Sequence, residues 1–194
     1  MLTLSLPFIL ASSSPRRHEL LQFLQIPFSI CSVDTDEVSH EKRPETLVQD
    51  VARQKALMSA KQHQQPGLYL GADTLVILQD AILGKPSSPQ EAYDMIHSIQ
   101  NQTHRVLTGL CLFNSETKET ILDYDCTHVH IVPMSNDEIQ GYVAMGESFD
   151  KAGAYAIQGA FACYIDRIEG CYYNVMGLPL AKLYSILKTV SNQT

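Results

Sequence analysis

The chain is poor in positive charge: 14 Lys and Arg stand against 21 Asp and Glu, for a formal charge of −7. A surface for long nucleic acid needs a basic face that displaces condensed counterions, so that class is excluded, whereas a small phosphorylated ligand is not. Cysteine is scarce and unpaired in pattern. Cys31, Cys111, Cys126, Cys163 and Cys171 form an odd set without a C-x-x-C pair, which argues against a disulfide framework or a thiolate zinc site and for reduced, mostly buried thiols in a cytoplasmic protein. None of the 7 histidines stands in an H-x-x-x-H or H-E-x-x-H arrangement, which removes the usual zinc-hydrolase pattern. No apolar run approaches the roughly 20 residues that cross a bilayer, so no membrane partner is expected. The apolar opening at 2–11 has no basic residue before it and is interrupted by Pro7, and it reads as the lead-in to a buried strand rather than a signal-peptide core. There is no internal repeat, low-complexity tract or linker able to separate independent domains, so 1–194 is expected to form one domain.

What is present is an alternation of strand and helix patterns. A short buried strand at 8–11 precedes a helix at 15–25 and a strand at 28–33 that runs into the acidic loop Asp34-Thr35-Asp36-Glu37. Pro44 opens a long helix to about 63, whose Leu47, Val48, Val51, Ala52 and Ala56 recur at helical spacing. A strand at 68–78, broken by a small-residue kink at Gly71-Ala72, turns back at 81–84. Ser88-Pro89-Gln90-Glu91 announces a helix to about 99, and Ser135-Asn136-Asp137-Glu138 another to about 145. Between them, 104–114 and 120–132 form an antiparallel hairpin. Two further strands are expected at 154–158 and 162–168, with a last helix at 178–190. The expectation is a mixed twisted α/β sheet with two lobes around a central cleft.

The most informative local pattern is Ser12-Ser13-Ser14-Pro15-Arg16-Arg17. Ser14 as N-cap and Pro15 as the first helical residue place Arg16 and Arg17 in the first turn, beside the unsatisfied amides at the positive end of the helix dipole. Cations there cost on the order of 0.3–1 kcal/mol each, a penalty that a bound polyanion reverses, and Ser12 and Ser14 add hydroxyls to the same strand-to-helix turn. Asp73, in Gly71-Ala72-Asp73-Thr74, is a carboxylate between two apolar strand segments and needs a partner. Hydrolysis of a phosphoanhydride calls for acidic groups to hold a metal and orient water, here Asp36, Glu37 and Asp73. It also calls for cations to neutralise the leaving group, here Arg16, Arg17, Lys55 and Lys85. Solvated lysines and a solvated acidic loop are the competing reading of the same residues. Gln158, in the Gly-flanked stretch 150–159, is able to read a base edge through its amide, or to cap a strand. Asn174-Val175-Met176-Gly177-Leu178-Pro179 reads as a helix entry.

Taken together, Leu10-Ala11-Ser12-Ser13-Ser14-Pro15-Arg16-Arg17, Gly71-Ala72-Asp73-Thr74, Gly84-Lys85-Pro86, Asp150-Lys151-Ala152-Gly153-Ala154-Tyr155-Ala156-Ile157-Gln158-Gly159 and the Asn174 to Pro179 stretch resemble the Maf family of nucleoside triphosphate pyrophosphatases. The resemblance implies a fold related to the inosine triphosphate pyrophosphatases, a frequent homodimer, and cleavage of a nucleoside triphosphate to monophosphate and pyrophosphate with Mg²⁺ or Mn²⁺. By motif position it puts the catalytic acid/base on Asp73 and the metal-linked acid on Glu37 with Asp73. Phosphate contact falls to Arg17, Lys55 and Lys85, and substrate choice to Arg16, Thr74 and Gln158. Ala-Asp-Thr with Tyr-x-Ile-Gln-Gly resembles the branch acting on dTTP and UTP; the 7-methyl-GTP branch carries Ser-Asp-Gln instead. Two departures stand out, Asp36-Glu37 where two glutamates are also common and Ala156 where Gly is frequent. The rival function is a nucleotide-binding regulator of cell division that does not hydrolyse.

Overall fold

The computed structural model describes residues 2–33 and 38–191. Strand β1 (Phe8–Leu10) is followed by helix α1 (Pro15–Gln22), β2 (Ser29–Ile30), α2 (Pro44–His63), β3 (Leu68–Leu78) and β4 (Ala81–Leu83). Then come α3 (Pro89–Ile99), β5 (Thr103–Asn114), β6 (Thr120–Ile131), α4 (Asn136–Ala144), β7 (Ile165–Glu169), α5 (Tyr172–Val175) and α6 (Leu180–Ser191). Among the described residues the strands form one 7-stranded sheet in the order β2-β1-β3-β5-β6-β7, with β4 added to β3. β1 runs parallel to both β2 and β3, while β3–β4 and β6–β7 are antiparallel. Asn114 N donates to Glu119 O at one end of the β5–β6 pair and Ile131 N to Gln102 O at the other, so this pair is antiparallel as well. The sheet is mixed and the class is α/β, as the alternation of patterns implies.

The described residues divide into two compact units. One holds the chain up to Asp73, Thr108–Asp125 and the chain from Gly177; the other holds Thr74–Leu107 and Cys126–Met176. In the first unit, α2 buries Val48, Val51, Ala52 and Ala56. Its backbone lies directly on two glycines of the sheet: a Cβ on Gly71 would stand 2.0 Å from Ala52 O, and one on Gly109 would stand 2.3 Å from Val48 O. Only glycine permits that approach. Around it Ile9, Ala52, Ala56, Tyr69, Cys111 and Phe113 form a buried cluster, and the fully buried Ser59 is satisfied by donating to Cys31 O at 2.7 Å.

In the second unit α3 and α4 pack together, each started by a serine. Ser88 Oγ accepts from Glu91 N, and Ser135 with Glu138 completes a reciprocal capping box, as their sequences predict. Elsewhere the structure corrects the expectation. β3 runs unbroken through Gly71-Ala72, and the strand expected at 28–33 contracts to Ser29–Ile30. The strand expected at 154–158 is absent, with 3₁₀ turns at Ala152–Ala154 and Ala160–Tyr164 on either side, and the strand expected at 162–168 begins later, as β7. Gly153, Ala154 and Gly159 have φ of 71°, 62° and 108°, a left-handed backbone that no strand accommodates.

Candidate functional site

β1 ends where its hydrogen bonding to β3 ends, with Ala11 N donating to Leu70 O at 2.8 Å. The chain then turns through three serines into α1, whose N-cap is Ser14 in an extended conformation and whose first turn contains no acidic residue. The Ser14 side chain does not cap the helix. Ser12 organises the turn instead. Its buried hydroxyl accepts from Ser14 N at 3.2 Å and from Arg17 Nη1 at 3.3 Å, and its carbonyl accepts from His18 Nε2 at 2.8 Å. Because a carbonyl only accepts, His18 carries its proton on Nε2. Arg17 Nε donates to Gly177 O at 2.9 Å, so the guanidinium is oriented by two protein oxygens. Arg16 and Arg17 are both half-buried.

Lys55 and Asp73 form the charged centre of this unit. Lys55 Nζ stands 2.7 Å from Asp73 Oδ1, with side-chain exposures of 14% and 13%. The sequence left Lys55 open between a phosphate contact and a solvated helix lysine; the structure turns it inward. The cause is packing. Gly71 lets α2 settle with Ala52 and Ala56 on the strand backbone, and Lys55 lies between those two residues on the same helix, facing the carboxylate two positions further along β3. Gly71 thus admits a helix backbone.

The other expected residues lie in the second unit. Thr74 is half-buried on β3, Lys85 is exposed just past β4, and Gln158 is exposed in the turn between the two 3₁₀ segments. Gly153 N donates to Gly84 O at 3.0 Å, which joins the Lys85 hairpin end to the 150–159 loop. The close approach requires glycine, since a Cβ on Gly153 would meet Val76 Cγ1 at 2.8 Å. Behind the loop Tyr155 is buried, its hydroxyl 2.7 Å from His104 Nε2 and its ring 4.8 Å from that of Phe161. Burial pushes the His104 pKa down to about 4, and burial raises that of Tyr155, with the nearby Tyr142 adding to the rise. Asn174 is structural, as read: its Nδ2 donates to Val106 O and Thr127 Oγ1 at 2.9 and 3.0 Å.

Asp36 and Glu37 lie outside the described residues. Among the described residues no three His, Cys, Asp or Glu side chains gather closely enough to hold a metal. Two organising groups escaped the sequence reading: His18, which holds Ser12, and the carbonyl of Gly177, which holds Arg17. A carbonyl 160 positions away carries no sequence signal.

The Maf-like protein family matches residues 7–190. The dTTP/UTP pyrophosphatase of Thermoanaerobacter sp. (strain X514) is 42% identical over 180 residues, 93% of this chain and 94% of that protein. The dTTP/UTP pyrophosphatase of Halalkalibacterium halodurans is 44% identical over 183 residues, 94% of this chain and 95% of its own. That of Caldanaerobacter subterraneus subsp. tengcongensis is 44% identical over 179 residues, 92% of this chain and 86% of its own. The matched segment begins just before β1 and extends into the last turn of α6, taking in the Ser12 turn, the Lys55–Asp73 pair and the loop before Gly159. The chain belongs to the family of Maf-like proteins.

Proposed function

We propose that this protein hydrolyses dTTP and UTP to the nucleoside monophosphate and pyrophosphate. The observation that carries the proposal is the nearly buried Lys55–Asp73 contact, 2.7 Å long, in the unit that also holds two arginines at the start of α1. The names of the relatives above support the choice of substrate. Water attacks the α-phosphorus in line with the departing pyrophosphate. Asp73 orients that water and takes its proton. Arg16, Arg17 and Lys55 offset the charge that moves onto the leaving phosphates. Lys85 is assigned to phosphate as well, and Thr74 and Gln158 to the choice of nucleotide.

A hard divalent cation such as Mg²⁺ or Mn²⁺ is held in sites of this chemistry by one or two carboxylates together with substrate phosphate oxygens. Asp73, with Glu37, is the donor set assigned to it. When bound, the ion supplies charge neutralisation on the phosphates. The five free cysteines support a reducing, cytoplasmic setting. The adjacent exposed aromatics Tyr172 and Tyr173 support a homodimer contact, which molar mass in solution tests.

The decisive experiment offers the purified protein dTTP, UTP, CTP, GTP and 7-methyl-GTP with Mg²⁺ and measures pyrophosphate. Release from dTTP and UTP, abolished by a chelator and restored by Mg²⁺ or Mn²⁺, is the expected result. Binding without release identifies a sensor, and a preference for 7-methyl-GTP overturns the pyrimidine assignment.

A further inference from the structure

His18 stands one residue beyond the stretch Ser12 to Arg17 and reaches back into it. The residue is half-buried, and its Nε2 donates to Ser12 O at 2.8 Å. A peptide unit is planar and trans, so its carbonyl and its N–H point in opposite directions. Holding Ser12 O therefore sets the N–H of Ser13, which is turned away from His18 on an exposed residue. The Ser12 side chain is set as well. Its hydroxyl accepts from Ser14 N at 3.2 Å and from Arg17 Nη1 at 3.3 Å, while Arg17 Nε is held by Gly177 O at 2.9 Å. A hydroxyl oxygen has two lone pairs and one proton, so with both lone pairs engaged the proton is left to donate.

The orientation of this peptide decides what the turn offers an anion. Amide N–H groups gathered in a turn attract negative charge, whereas a flipped peptide would present the Ser12 carbonyl in their place and repel it. The side chain of Ser14 does not cap α1, so the usual serine hold on a first turn is not the one in use. We infer that His18 is a positioning residue for the substrate's phosphates: its Nε2–H locks the Ser12–Ser13 peptide in the orientation that offers an amide rather than a carbonyl, and keeps the Ser12 hydroxyl in register with Arg17. An imidazole protonated at Nε2 donates there whether or not Nδ1 also carries a proton, so the hold is the same in the neutral and charged rings. This rests on the pyrophosphatase reading of the site and adds a residue outside the motif that ends at Arg17.

The test replaces His18 by methionine, which has a long side chain and a good helix propensity but no donor, and by glutamine, whose Nε2 donates from about the same reach. KM and kcat are measured for dTTP with Mg²⁺ well below the melting temperature, together with equilibrium binding of tripolyphosphate. H18M is expected to raise KM and to weaken tripolyphosphate binding by about tenfold, with kcat changed by less than about threefold, and H18Q to restore most of both. The split discriminates, because partial unfolding removes active molecules and so lowers the apparent kcat while leaving KM in place. H18A takes the place of H18M if the longer side chain prevents folding. Unchanged KM and unchanged tripolyphosphate binding in the variant without a donor overturn the inference. So does H18Q as impaired as H18M, which would leave His18 as packing on the turn, and so does a loss confined to kcat. If the unmodified protein releases no pyrophosphate from dTTP, the hydrolase reading fails instead, and the order of tripolyphosphate affinities alone decides the role of His18; binding by none of the proteins ends both.

Discussion

Asp73 and Lys55 hold each other with little water around them, and substitutions at the two positions test chemistry and stability. Asp73→Asn keeps an oxygen for the Lys55 ammonium but loses the proton acceptor. Turnover of dTTP is expected to fall by roughly 10²–10⁴-fold, and the melting temperature to fall as well because the Lys55 ammonium loses its counter-charge. Turnover within a few-fold of the unmodified protein would remove Asp73 from the role of base. Lys55→Ala leaves a carboxylate at 13% exposure without its cation, which costs about 3 kcal/mol and lowers the melting temperature by about 10 °C. Calorimetry showing no such drop would mean that the pair adds nothing to the fold. At this scale the sequence was legible where a residue's neighbours in the chain define its setting: Pro15 and the serines place both arginines in a first turn. It was silent on partnership. Lys55 and Asp73 are 18 positions apart, and nothing local couples them.

The helix that carries Lys55 reaches its place through glycine. Gly71→Ala sets a methyl group 2.0 Å from Ala52 O and 2.9 Å from Ala56 N, so α2 must move as a body. Overpacking of this kind costs about 1–3 kcal/mol, and because Lys55 rides on the same helix the catalytic loss is expected to exceed what the stability change accounts for. Equal kcat/KM in the variant and the unmodified protein at a temperature well below melting would show that α2 does not position the pair. The capped helices α3 and α4 were readable to within a residue because capping and amphipathic spacing act over a single turn. The 154–158 segment was misread as a strand because its apolar residues, Tyr155 and Ile157, alternate as a strand's do. Tyr155 packs its ring on Phe161, which packs in turn on Tyr142, over a backbone turned by Gly153, Ala154 and Gly159.

For the molecule as a whole, the buried His104 ties stability to pH. Its folded-state pKa is lowered by burial to about 4 from an ordinary 6.5, so the unfolded chain takes up the proton first as the pH falls. The contribution is complete above about pH 6.5 and is lost progressively toward pH 4, amounting to about 2 kcal/mol between pH 7 and pH 5. Urea unfolding at those two pH values measures it, and His104→Gln should flatten that part of the profile; an unchanged slope would mean that His104 is protonated in the fold. The sequence by itself determined the order of strands and helices as far as α4, the serine caps of α3 and α4 and the short list of charged residues from which a phosphate chemistry is built. These follow from dihedral preference, hydrophobic period and net charge, all of which act locally or sum over composition. Only the tertiary structure decided that Lys55 faces Asp73, that Gly177 orients Arg17 and that His104 fastens Tyr155. Each is a contact between side chains or backbone brought together by the fold, and the free energy of such contacts depends on distances in space that no spacing along the chain encodes.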